Sequence, residues 1–141
     1  MIHSVNSVRR LVALTTLLLL PAFLAVAQPS AKSPTDTYLG YRAAMLKAKT
    51  LDDLKPWFSK DGVAKLNSMP ADQRGMMLEF VKDMSSAITN LKVVKESITG
   101  DAAKLQVEGT DVGDKSVKKA TVDVVREGGV WKFVKESWGE S

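Results

Sequence analysis

Two spacings of apolar residues divide the chain. From Ser33 to about Asn90 they recur with the period of about 3.6 expected of helices, and beyond Asn90 they alternate as in strands. "SPTD" opens the first helical stretch, with Ser33 as N-cap, Pro34 at the first helical position and Asp36 three residues past the cap. Tyr38, Tyr41 or Arg42, and Met45 follow at helical spacing, with Leu39, Ala43 and Leu46 beside them. "TLDD" repeats the capping pattern with Thr50 and Asp53, and Pro56 limits the short helix it begins. "SKDG" through Leu66 predicts another turn or two. The longest helix is predicted from Pro70, with Met77, Phe80, Val81, Met84 and Ile88 as its apolar stripe and Gly75 as a local weakness.

The strands come last. "LKVVKESI" is the first. "AAKLQVEGT" puts Ala103, Leu105, Val107 and Gly109 on one face and Lys104, Gln106, Glu108 and Thr110 on the other. After the turn "DVGD", "SVKKATVDVVRE" aligns Ala120, Val122 and Val124. After the turn "EGGV", "VWKFVKESW" closes the sheet. Plain alternation assigns Trp131 and Phe133 to one face of this last strand and Val134, Glu136 and Trp138 to the other. The predicted fold is α+β, with N-terminal helices packed on a curved, mainly four-stranded antiparallel sheet.

Residues 1–27 change the picture of where this domain works. Arg9-Arg10, the apolar run "LVALTTLLLLPAFLAVA" and the small residues Ala25-Val26-Ala27 are the parts of a secretory signal peptide. The expected product is exported to the periplasm or secreted, with no stable membrane span after cleavage. Residues 28–33 form a flexible lead-in, and residues 34–141 a single domain.

The chain has no cysteine, and its one histidine, His3, would leave with the signal peptide. Ser–His and Cys–His catalysis are thereby excluded from the mature domain, as is zinc held through His or Cys. Residues 28–141 carry a net charge of only +2, and neither half of them is strongly basic, so no nucleic-acid partner is expected. Met69, Met76, Met77 and Met84 could suit Cu(I), but their spacing around Phe80 reads as a core seam rather than a metal site. Asp111 and Asp114 in "DVGD" lack the ligand spacing of a calcium loop. No cofactor is expected.

The element order, together with Gly129-Val130-Trp131-Lys132-Phe133, resembles the nuclear transport factor 2-like superfamily, over roughly residues 34–138. The resemblance is to its small exported bacterial members. It implies a cystatin-like cone in which the sheet wraps around the long helix, often enclosing a pocket. Some members are ketosteroid isomerases or polyketide cyclases, and many others are binding or dimerisation modules, a choice that fold alone cannot make.

Candidate ligand-binding residues follow. Trp131 and Phe133 are expected mainly in the core, with any pocket left between them and Tyr38, Tyr41, Met77 and Phe80. The expected function is a non-catalytic binding or interaction domain of the cell envelope, for a small apolar ligand or an envelope protein, with homodimerisation through the sheet left open. The alternative is an isomerase- or cyclase-like enzyme, with Tyr38 or Tyr41 as hydrogen-bond donor and Glu96 or Glu136 as base. Glu96 lies between Val94 and Ile98, and Glu136 between Val134 and Trp138. A glutamate on an apolar face would have its pKa raised by desolvation. Asp123 is the weaker candidate because alternation groups it with Lys119 and Thr121.

Overall fold

The computed structural model describes residues 32–139. The expected signal peptide lies outside them. Helix α1 spans Pro34–Lys47, and its N-terminus is the predicted capping box: Asp36 N–H donates to Ser33 Oγ (3.0 Å) and Ser33 N–H to Asp36 Oδ2 (3.1 Å). A 3-10 helix, Leu51–Trp57, begins where Asp53 accepts from the backbone of Thr50 and Lys49, and it holds Pro56 within its last turn. Helices α2 (Lys60–Ser68) and α3 (Ala71–Ser86) complete the helical half.

Strands β1 (Ile88–Thr99), β2 (Ala102–Asp111), β3 (Val117–Glu127) and β4 (Val130–Gly139) form one antiparallel sheet in the order β1-β2-β3-β4. The fold is therefore α+β, a meander with helices preceding strands. Between β3 and β4, Gly128 (φ 57°) and Gly129 (φ 79°) supply the two positive φ angles that a two-residue type I′ hairpin turn requires.

One core joins the layers. Tyr38, Tyr41 and Met45 of α1, with Leu51, Leu54, Leu66 and Leu78, pack on Ala103, Leu105, Val107, Ala120, Val122, Val124, Trp131 and Phe133. The opposite face of the sheet is polar. Lys104 and Lys135 flank Asp123 (2.8 and 3.4 Å), and Lys92 pairs with Glu108 (3.5 Å). The two lysines hold the Asp123 carboxyl below its ordinary pKa, chiefly through the hydrogen bond from Lys104.

Two irregularities overturn the faces expected from alternation. In β4, Lys135 pairs with Asp123 and Phe133 with Val124, so Val134 is an extra residue in a β-bulge. Past the bulge the alternation is reset. Glu136 and Trp138 therefore join Trp131 and Phe133 on the helix-facing side, while Val134 is exposed. In β1 the same happens at Val94. Glu96 and Ile98 come opposite Leu105 and Ala103, on the inner face, and Val94 does not share it. Glu96 and Ile98 are nonetheless exposed, because β1 is an edge strand.

Helix α3 is rotated away from the expected stripe. Its buried residues are Leu78 and Ser85, with Val81 half-buried, whereas Met77, Phe80 and Met84 are exposed, Phe80 by 58%. Ile88 belongs to β1. Polar bonds to α1 hold this rotation. Arg42 Nη2 donates to the Ser85 carbonyl (3.0 Å) and Lys82 Nζ to the Ala48 carbonyl (3.0 Å). The methionines are thus not a core seam along α3.

Candidate functional site

Where α3 leans over β4, the two elements leave a groove whose floor is α1. Tyr41 and Phe133 stack there, with ring centroids 4.1 Å apart and an interplanar angle of 17°. Phe58 tilts against both rings, at 5.7 and 6.0 Å. The stacked pair and Val81 line two adjoining clefts.

The first cleft, of about 250 Å³, is apolar: Leu51, Leu54, Phe58, Leu66, Met69 and Met77 surround it. The second, of about 280 Å³, is bounded by Met45, Met84 and Trp138 and ends on a polar cluster of Arg42, Ser85 and Glu136. Each alone falls just short of the roughly 300–1,000 Å³ of common ligand pockets, and the two share Tyr41, Val81 and Phe133 as a common wall.

The polar cluster is internally paired. Tyr38 Oη donates to Glu136 Oε1 (2.9 Å), and Arg42 Nη1 lies 3.3 Å from the same oxygen. Arg42 Nη1 also donates to Ser85 Oγ (3.2 Å). The Arg42 and Glu136 side chains are 9% and 12% exposed, so this is a nearly buried ion pair, and such a pair is tolerable only with its hydrogen bonds made. Among the described residues no buried side-chain polar atom lacks a partner.

Burial pushes the Tyr38 phenol far above its ordinary range, and the neighbouring Glu136 carboxylate adds to the rise. The same causes, in the same order, raise Tyr41 to about 12. Both tyrosines are neutral donors at physiological pH. Tyr41 directs its hydroxyl to Met45 Sδ (3.6 Å), and Tyr38 is 0% exposed beneath the cluster.

The expected site residues are therefore divided. Tyr41 and Phe133 line both halves of the groove, and Met77 lines its apolar half. Tyr38 supports the groove from below, whereas Phe80 lies on the exposed face of α3, outside the lining. Trp131 is buried and borders a different cleft, with Lys32, Thr37, Pro56 and Trp57. Arg126 sits over its ring, 5.1 Å from the centroid.

Of the two glutamates, only Glu136 meets a tyrosine hydroxyl. Glu96 accepts instead from Thr35 N–H (2.9 Å) and Oγ1 (2.6 Å) at the N-terminus of α1, where a carboxylate is favoured by the helix dipole. Asp123 faces the opposite side of the sheet.

Arg42, Ser85 and Trp138 were not among the expected site residues. Arg42 left a signal: it shares the buried face of α1 with Tyr38 and Met45, where an arginine requires an acidic partner. Comparison of the chain with protein-family models, with curated proteins and with solved structures finds no match.

Proposed function

We propose that this protein is an exported, non-catalytic binding domain of the cell envelope that holds a small, elongated apolar ligand between α3 and β4. The observation that carries the reading is the groove itself, with the apolar side chains of Met77 and Met84 on its rim. An amphipathic helix normally turns such residues to the core, and apolar side chains left exposed beside a groove favour a ligand that covers them. The export reading rests on the leader-like residues 1–27, and the order of helices before strands resembles that of a nuclear transport factor 2-like cone.

The isomerase-like alternative needs a phenol donor and a basic carboxylate, both free to converge on one reacting centre. Tyr38 instead donates to Glu136 Oε1, and Arg42 is held in an ion pair with the same carboxylate. That pairing favours binding over turnover.

Native mass spectrometry of the protein recovered from its own envelope fraction tests the proposal. A discrete extra mass that disappears on denaturation is expected. A bare monomer or dimer, with no uptake of apolar compounds on titration, overturns it.

A further inference from the structure

We infer that the groove selects apolar ligands that carry a neutral hydrogen-bond donor, a hydroxyl or an amide, and disfavours those that end in a carboxylate. This rests on the ligand-binding reading above and adds the chemistry of the ligand's polar end.

Glu136 Oε1 accepts from Tyr38 Oη (2.9 Å) and from Arg42 Nη1 (3.3 Å). Glu136 Oε2 has a single long contact, 3.5 Å from that same Arg42 nitrogen. A carboxylate offers about four lone-pair positions, so Oε2 retains most of its accepting capacity.

Most of the neighbouring donors are directed elsewhere. The Ser85 hydroxyl gives its proton to the Val81 carbonyl (2.6 Å), and the Tyr41 hydroxyl points at Met45 Sδ. Arg42 directs Nη1 to Ser85 Oγ and to Glu136, and Nη2 to the Ser85 carbonyl. Lys135, which also borders the cleft, places its ammonium 3.4 Å from Asp123 on the opposite sheet face. The polar end of the groove therefore presents an acceptor carrying negative charge, next to a cation that is already paired.

A hydroxyl or amide N–H placed there gains a charge-assisted hydrogen bond, which is stronger than a neutral one. A carboxylate placed there would face Glu136 at short range in a partly desolvated space, where like charges repel strongly. The walls formed by Met45, Val81, Met84, Phe133 and Trp138 accept an alkyl chain of any end group, so discrimination falls to Glu136.

The test uses a length-matched series of decanol, decanamide and decanoate at pH 7. Each is titrated into the full chain, and binding is read by isothermal calorimetry and by tryptophan emission, because Trp138 borders the groove. Decanol and decanamide are expected to bind about tenfold or more tighter than decanoate, the scale of one hydrogen bond to a charged group. Glu136→Gln, which keeps an acceptor for Tyr38 and removes the charge, is expected to narrow that gap, with its fold checked by circular dichroism. Decanoate binding the wild-type chain as tightly as decanol overturns the inference while leaving the groove as a ligand site. Failure of all three compounds to bind overturns the ligand-site reading as well, and the inference with it. The wild-type series decides the matter even where the variant does not fold.

Discussion

Arg42→Met should remove a large part of the domain's stability, and the loss should depend on Glu136. The substitution keeps an unbranched apolar stem but leaves the Glu136 carboxylate, 12% exposed, with the Tyr38 hydroxyl as its close remaining donor. An uncompensated charge at such burial costs about 3–5 kcal/mol. That is a large fraction of the about 5–15 kcal/mol by which domains are stable. Glu136→Leu strands the guanidinium with only Ser85, at a cost in the same range of about 3–5 kcal/mol. In the double variant no charge is left. What remains unpaid is the Tyr38 hydroxyl without its acceptor, about 1–3 kcal/mol. Urea unfolding followed by tryptophan emission gives the four corners of the cycle. The double variant should be more stable than either single one, with a coupling of about 3 kcal/mol or more, at the top of the usual range for contacting residues. Destabilisations that add to within about 0.5 kcal/mol would show the two side chains to be independent, and would refute the description of Tyr38, Arg42, Ser85 and Glu136 as one unit.

Two further outcomes follow from burial and ionisation. Leu78→Ala should cost about 2–5 kcal/mol, as for a buried leucine. Phe80→Ala, two residues along the same helix, should stay within about 0.5 kcal/mol as a surface change; equal losses in chemical unfolding would restore Phe80 to the core. The chain's two tyrosines, Tyr38 and Tyr41, both have raised folded-state pKa values. Their ionisation leaves stability intact below about pH 10, the ordinary tyrosine value, and erodes it as pH rises further. With both contributing, the slope approaches about 2.7 kcal/mol per pH unit. Tyrosinate absorbance should therefore appear together with loss of native tryptophan emission. Absorbance rising near pH 10 while the emission stays native would show that the rings are accessible.

Much of the fold could be read because its signals are local. The Ser33–Asp36 capping box, the Asp53 cap and the Gly128-Gly129 turn each arise from a few adjacent residues whose backbone preferences do not depend on the rest of the molecule. The change of apolar period near Asn90 placed every helix before every strand, and the loss of cysteine and histidine chemistry from the domain is a property of composition. The inner faces of β2 and β3, Ala103 to Gly109 and Ala120 to Val124, were also legible, because those central strands pair without interruption.

The site was less legible, for a physical reason. A bulge costs one residue and reverses every inward and outward assignment beyond it, and its position is set by pairing with the neighbouring strand. Strict alternation therefore separated Glu136 and Trp138 from Phe133, while the bulge at Val134 brings all three to the groove. The rotation of α3 was equally hidden. Its sequence offers a strongly apolar face through Met77, Phe80 and Met84, yet hydrogen bonds from Arg42 and Lys82 direct Leu78 and Ser85 inward instead. Charge shows the same division. The outer sheet face collects Lys92, Lys95, Lys104, Lys119, Lys132 and Lys135 against Glu108, Asp123 and Glu127, while the other described residues balance at twelve basic and twelve acidic side chains. Local backbone preference and composition determined the elements, their order and the excluded chemistries. Which side chains meet across the groove was decided only by long-range pairing and packing, because a shift of one residue or a partial turn of a helix changes partners without changing the elements.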